Sequence, residues 1–355
     1  MSRFDVAIVG AGMAGAGLAA ALAGAARVLL LEAEDQPGYH STGRSAAFWS
    51  ETYGGPLIQP LTSASRTALV PFLGPRGCIH IADAGGTGAL AALAEEFRDA
   101  SVPLHELDRR DLEARLPGLR PGWDKGLSEP TCADIDVAGL HAACLRAAKA
   151  ELVVNARLLE ATRTGAGWTL ATSAGGFEAD ILVNAAGAWA DAVAGLAGER
   201  PLGIRPYRRT IAQLRVAPAA PADLPLIVDA LGRFYFKPEA GGRLWLSPHD
   251  ETSSEPCDCA PDELDVAVAI DRLESLIDWR IEAVERKWAG LRSFAPDRLP
   301  VYGFSDSGRG FFWCAGQGGF GIQTAPAASA LAADLLLGRT GGAIDPVPYA
   351  AGRFA

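Results

Sequence analysis

The chain has 355 residues, with 42 acidic against 32 basic side chains, a net charge of −10 and 49% hydrophobic residues. That length buries a large core and can hold two domains. The acidic balance and scattered Lys and Arg exclude the electrostatic footprint of a nucleic-acid or anionic-membrane binder. Six cysteines, Cys78, Cys132, Cys144, Cys257, Cys259 and Cys314, are too dispersed for a disulfide framework, and no second pair or His cluster completes a metal site around Cys257-Asp258-Cys259. That stretch, between Pro256 and Pro261, reads as a solvated loop, and Cys144, three residues after His141 in an apolar run, as a packing residue.

The N-terminus resembles a secretory signal in having Arg3 before an apolar run. Asp5 and the interruptions at Gly10, Gly12, Gly15 and Gly17 argue against that reading. Phe4–Val9 reads instead as a buried strand, Met13–Ala25 as an Ala-rich helix, and Arg27–Leu31 as a second strand ending at Glu32, a βαβ unit with parallel strands. No other stretch approaches the ~20 apolar residues of a membrane span, so the chain is expected to be soluble and cytoplasmic.

Helices are expected over Leu57–Phe72, Ala89–Phe97 and Val137–Ala150, with the alternating run CIHIAD as a strand of a different sheet. LVVNA, GWTLAT and FEADILVNAAG are strand candidates. RRTIAQLRV, GRFYFKP and GRLWLSP alternate between Pro, Ala and Gly breaks and form the most β-like region. A helix over Pro261–Ile277, the strand-like VERKWAGLRSF, the strand GFFWCAG and a helix over Gly321–Leu337 complete the chain. The expected architecture is α/β with an α+β part: a Rossmann-like cofactor domain interleaved with an antiparallel-sheet substrate domain. The expected division is 1–48, 137–200 and 296–355 for the first domain, and 49–136 and 201–295 for the second.

Gly10-x-Gly12-x-x-Gly15 lies between strand and helix, and an acid ends the next strand. Gly10 permits the tight turn, Gly12 lets a pyrophosphate approach the backbone, and Gly15 lets the helix pack close to the strand. The helix N-terminus offers free N–H groups and partial positive charge. Glu32 can accept from an adenosine ribose and disfavours a 2′-phosphate. Two later stretches point to FAD rather than NAD. ILVNAAGAWAD runs from a strand into a small-residue turn able to pack on a cofactor. FFWCAGQGGFGIQT reads as strand, Gly-rich turn and helix start, and that N-terminus would stabilise negative charge on a reduced flavin.

In GYHSTGRSAAF, adjacent His40 and Ser41 suggest a nucleophile and base. Sequence neighbours seldom meet in that geometry, so the segment reads as an arm crossing the cofactor. Ser41, Thr42, Ser45, Ala46 and Ala47 are small enough for close backbone approach, and Arg44 offers charge to a phosphate or a carboxylate partner. Arg208 and Arg209 are neighbours in a strand-like run and must point to opposite faces, so only one can enter a pocket. Tyr235 and Lys237 share a face opposite Phe234 and Phe236.

GAGMAGAGLA, LEAEDQPGYHSTGRSAA, ADIDVAGLH, LVNAAGAWADAVAGLAGERPLG, FYFKPEAG, WAGLRSF and GFFWCAGQGGFGIQT together resemble the FAD-dependent D-amino-acid dehydrogenases. They belong to the D-amino-acid oxidase, glycine oxidase and sarcosine oxidase group, and the likeness is greatest to the bacterial D-arginine dehydrogenases. The resemblance implies a D-amino-acid oxidase-like fold. It implies oxidation of a D-amino acid by hydride transfer from Cα to flavin N5, and hydrolysis of the imino acid to a 2-keto acid and ammonia. The electrons would pass to a quinone, an electron carrier or oxygen. It further implies a carboxylate clamp of Arg209 and Arg292 with Tyr53 and Tyr235 as hydroxyl donors, and Gly319 and Gln323 facing the substrate amino group and flavin. For FAD it implies contacts from Ala14, Ala33, Ala186, Gly187, Trp189, Arg292, Gly318, Gly321 and Ile322. An Arg fork suits a carboxylate.

Two departures stand out. The D-arginine enzymes carry His after GRSAA where this chain has Phe48, and their acidic side-chain-binding residue corresponds to Gly77. Losing a carboxylate that pairs a buried cation disfavours cationic side chains, so a neutral, apolar or aromatic substrate is expected. Other readings are a glycine- or sarcosine-oxidase-like enzyme, an NAD(P)-dependent dehydrogenase, and a flavoprotein whose FAD is not catalytic.

Overall fold

The N-terminal strand–helix–strand forms the middle of an eight-stranded sheet. In the computed structural model, which describes residues 3–165, 167–308 and 310–354, Arg3–Val9 pairs in parallel with Val28–Leu31 on one side and Gly175–Asn184 on the other. Glu151–Val153 extends one edge. Leu158–Thr164 and Gly167–Thr172 form an antiparallel flank, and Phe311–Ala315 and Val301–Phe304 branch from Gly175–Asn184. All four residues of Val28–Leu31 are buried because helices cover both faces, the usual state of a parallel sheet. Val6, Ile8 and Leu30 pack under Leu18 of helix Met13–Ala21 and Leu331 of helix Ala325–Leu336. Ala7, Leu29 and Leu31 join Val193 of helix Ala190–Leu196 on the other face.

The second sheet has ten strands. Toward one edge lies the long antiparallel pair Arg280–Phe294 and Arg205–Ala217. Arg243–Ser247, Tyr235–Glu239, Leu226–Asp229, Cys78–Ala82, Lys125–Glu129 and His105–Leu107 follow in that order. It is not wholly antiparallel, since Leu226–Asp229 and Cys78–Ala82 run parallel. Period-2 alternation splits it. Ala212, Leu214, Phe234, Phe236, Leu244 and Leu246 pack against helix Glu263–Leu276. Ile211, Tyr235, Leu226 and Cys78 turn to the other side, where they meet Ala46 of the arm. A small sheet of Phe48–Trp49, Leu73–Pro75 and Ala133–Ile135 lies between.

Helix ends differ from the sequence expectation for local reasons. The first helix stops at Ala21, not Ala25, because the chain reverses through Gly24 at φ +80 to reach the next strand. Val137–Ala148 ends at Lys149 in a left-handed cap. Gln59–Leu69 passes into a 3₁₀ turn at Pro71. The last helix begins at Ala325, with Pro in its first turn, not at Gly321. Residues 319–324 are therefore turn backbone. Among the described residues, no helix is long and apolar enough to cross a membrane.

Candidate active site

The glycine turn is built by contact. Gly10 adopts φ +102, and a Cβ there would lie 2.5 Å from the Ala185 carbonyl oxygen; one on Gly15 would fall within the Gly10 carbonyl. The first helix is thereby seated on the turn, which leaves Gly10, Gly12 and Ala14 lining a cavity of about 430 Å³. Glu32 and Ala33 line it too. The backbone N–H groups of Ala11 and Glu34 each donate to one Glu32 carboxylate oxygen at 3.0 Å, which fixes a charge that is only 9% exposed. Each oxygen keeps lone-pair capacity for a hydroxyl. His141, read from sequence only as part of an apolar helix, reaches the Ala11 carbonyl at 2.8 Å and braces the turn from outside.

The arm 38–47 crosses this cavity. Thr42 Oγ1 accepts from Met13 N at 3.0 Å, and Ser41 Oγ donates to the Leu291 carbonyl at 2.6 Å. His40 pairs with Glu34 and stacks near Trp189, so it serves no nucleophile at Ser41. Ser45 and Ala46 line the cavity, whereas Ala47 packs away from it, in the cluster of Met13 and Trp49. Arg44 takes a carboxylate partner rather than standing free for a phosphate. Its guanidinium pairs with Asp258 and donates to the carbonyls of Cys259 and Ala289 at 3.2 Å. The Cys257–Cys259 loop thus latches the arm to the second sheet, and its Cys259 is buried. Ala186, Gly187 and Trp189 form the opposite wall, and Gly318, Gly319, Gly321 and Ile322 the end. A glycine-lined turn, a held acid and a bare helix start fit FAD.

At the second sheet the cavity is cationic. Arg209 and Arg292 come from adjacent strands on one face, since Arg209 pairs with Gly290 and Tyr207 with Arg292. Arg208 points to the opposite face, held by Asp250, Asp262 and Asp265. Arg209 is 4% exposed. Its Nε donates to the Asp250 carbonyl at 2.8 Å and its Nη2 to Glu251 at 3.4 Å, and Nη1 is buried without a partner among the described residues. Burial, with Arg292 nearby, pulls the guanidinium down to about 10, still charged at neutral pH. Tyr235 lines the cavity beside it. The Arg292 guanidinium sits 5.7 Å from the Tyr53 ring centre, and a Cβ on Gly319 would lie 2.3 Å from the Tyr53 hydroxyl. Gly319 is thus what admits that hydroxyl beside Arg292. Phe48 sits tilted against Tyr53 at 5.4 Å and edge-on to Tyr235 at 6.0 Å, as an apolar wall behind the two hydroxyl-bearing rings.

Three expectations need correction. The Gln323 amide does not face a substrate amino group: it accepts from Ser50 N and donates to the Tyr53 carbonyl and Thr62 Oγ1, so every atom serves the 50–53 turn. Gly77 precedes its strand at φ +71 with a Cβ direction toward Pro225, and the next residue, buried Cys78, packs with Ala46, Ile211 and Tyr235. The helix dipole expected at Gly321 belongs to Ala325. Sequence reasoning also passed over His249. Burial, with Arg209 and Arg292, pushes its imidazole down to about 2, so it is neutral. Its ring meets Tyr235 edge-on at 5.5 Å. No motif marks it; only the proximity of two arginines does.

A family model for FAD dependent oxidoreductases matches residues 5–335. The chain belongs to that family. FAD is accordingly its cofactor, which the glycine turn, Glu32 and the arm could hold. A glycine oxidase of Pseudomonas aeruginosa is 31% identical over 89% of this chain and 85% of its own length. The crystal structure of glycine oxidase from Geobacillus kaustophilus superposes with a TM-score of 0.85 at 25% identity, covering 99% of this chain and 98% of that one. An FAD-bound L-alpha-glycerophosphate oxidase from Mycoplasma pneumoniae shares the fold, with a TM-score of 0.84 at 16% identity over 95% of each chain.

Proposed function

We propose that this FAD-dependent oxidoreductase converts a neutral D-amino acid, with an apolar or aromatic side chain, to the imino acid that water hydrolyses to a 2-keto acid and ammonia. The observation that carries the reading is Arg209. A buried, charged guanidinium with one nitrogen unpartnered among the described residues, set beside Arg292 at the cavity, suits a carboxylate, and two forks bind it more selectively than ammonium groups would. Bound FAD supplies the hydride acceptor.

The chain's own residues bind and orient. Arg209 and Arg292 would hold the carboxylate, and Tyr53 and Tyr235 would donate hydroxyls to it. Gly319 leaves room at the cavity end. Holding the reacting carbon at a separation of ~3–3.5 Å from its acceptor contributes much of the barrier reduction in such reactions. The amino group must be neutral when hydride leaves, and water or nearby backbone takes its proton. Preference for a neutral side chain is supported by Phe48 against the two tyrosines and by Ile211, Ala46 and Cys78 in one apolar cluster. The D configuration is supported by the GYHSTGRSAA likeness alone. That likeness extends to the D-arginine dehydrogenases, yet D-arginine is expected to be poor here, because neither Gly77 nor Cys78 supplies a carboxylate for its guanidinium.

Anaerobic mixing of the holoenzyme with a panel of D-amino acids, following flavin absorbance, tests this. Fastest bleaching by D-arginine or D-lysine would sink the specificity, and bleaching by none would sink the function. A second reading, a glycine- or sarcosine-type amine oxidase, is favoured by the likeness to proteins named glycine oxidase. Rapid peroxide formation with glycine or sarcosine, ahead of any D-amino acid, would select it.

A further inference from the structure

The turn Ser50–Tyr53 links the cofactor-crossing arm to helix Gln59–Leu69, and both halves of the molecule grip it. From the cofactor side Gln323 holds the Ser50 N–H and the Tyr53 carbonyl. From the second sheet comes Glu129, the last residue of strand Lys125–Glu129 and 0% exposed. One oxygen of its carboxylate accepts from Glu51 N at 2.6 Å. The other accepts from Ser50 Oγ at 2.8 Å and Thr52 Oγ1 at 2.7 Å. The His80 imidazole lies beside it, with Nε2 4.0 Å from the carboxylate and 3.2 Å from Thr52 Oγ1.

Burying a carboxylate is costly unless donors compensate, and here three consecutive residues of one turn supply them. A charge so placed adds little net stability, but its donors tie the carboxylate to residues 50, 51 and 52 at once. Tyr53 follows directly. Its ring lies between Phe48 and Phe320, at 5.4 and 5.3 Å, and its hydroxyl reaches the space beside Gly319 and Arg292. We propose that Glu129 is a positioning residue for Tyr53, locking residues 50–52 so that this hydroxyl stays at the carboxylate end of the cavity. The inference rests on the reading that a substrate carboxylate binds there.

The test uses FAD-loaded enzyme and benzoate, a flat carboxylate whose binding is read from the flavin absorbance without turnover. Tyr53→Phe is expected to weaken benzoate about five- to tenfold, the loss of one hydrogen bond. Glu129→Leu should weaken it to a similar extent with FAD retained, and combining the two should add nothing, because both remove the same contact. Glu129→Gln should stay near wild type, since its carbonyl can still accept from Glu51 N and its amide can donate to the two hydroxyls. If Glu129→Leu fails to fold, Glu129→Asp, too short to reach all three donors, should show a smaller loss that Tyr53→Phe masks. Wild-type affinity in Glu129→Leu, or in Glu129→Asp where Glu129→Leu does not fold, or losses that multiply with Tyr53→Phe, would overturn the inference alone. Unchanged binding in Tyr53→Phe, or none in the wild type, would overturn the carboxylate reading and the inference with it.

Discussion

Replacing Arg209 with Ala removes one arm of the proposed clamp and leaves its surroundings anchored. Glu251 keeps Arg298, at 2.9 and 3.0 Å, and the Asp250 carboxylate keeps Thr210 N at 2.7 Å and Thr210 Oγ1 at 3.0 Å. The change is therefore local to the cavity. Truncating one member of a buried charge pair costs roughly 2–5 kcal/mol of binding, or about 30-fold to several thousand-fold in substrate concentration. Arg209→Lys keeps a charge but loses the fork and should fall between the two. The assay is anaerobic flavin bleaching against substrate concentration, with the oxidised spectrum and the melting temperature as controls that FAD is bound and the fold intact. Arg292→Ala should behave likewise. Unchanged saturation in Arg209→Ala, with FAD in place, would refute the clamp.

Gly319→Ala places a methyl 2.3 Å from the Tyr53 hydroxyl, so substrate binding should weaken while FAD content stays near wild type; an unaffected enzyme would show that the hydroxyl has no part in binding. Glu32→Ala removes an acceptor of two backbone N–H groups, the one proposed to take a ribose hydroxyl. FAD should dissociate roughly 10- to 100-fold more readily, measured as free flavin after ultrafiltration, at ~1.5–3 kcal/mol for a charged hydrogen bond. His249 carries a pH signature: native pKa about 2 against an ordinary 6.5. Below pH 6.5 the unfolded chain binds a proton that the native imidazole refuses, so stability falls as pH drops from there toward 2. By pH 5 the loss reaches about 2 kcal/mol. Urea midpoints at pH 7 and pH 5 should converge in His249→Gln, and an identical acid slope in both proteins would contradict the buried neutral state.

The cofactor half was legible in the sequence because its physics is local. A tight turn needs Gly10 within a few residues of its strand, helix contact needs Gly15, and the acid at Glu32 ends the next strand, so spacing along the chain reports spacing in space. The alternation of RRTIAQLRV likewise declared that Arg208 and Arg209 face opposite sides. Which side meets the cavity was decided by the sheet's packing, with helix Glu263–Leu276 claiming the face of Arg208 and leaving Arg209 for the site. Tertiary structure also reassigned Gln323 and chose the carboxylate partner for Arg44, both long polar side chains with partners more than 200 residues away in sequence. His249 and Glu129 belong to no motif. Their character comes from burial and from neighbours on other strands, and such desolvation exists only once the sheets have come together.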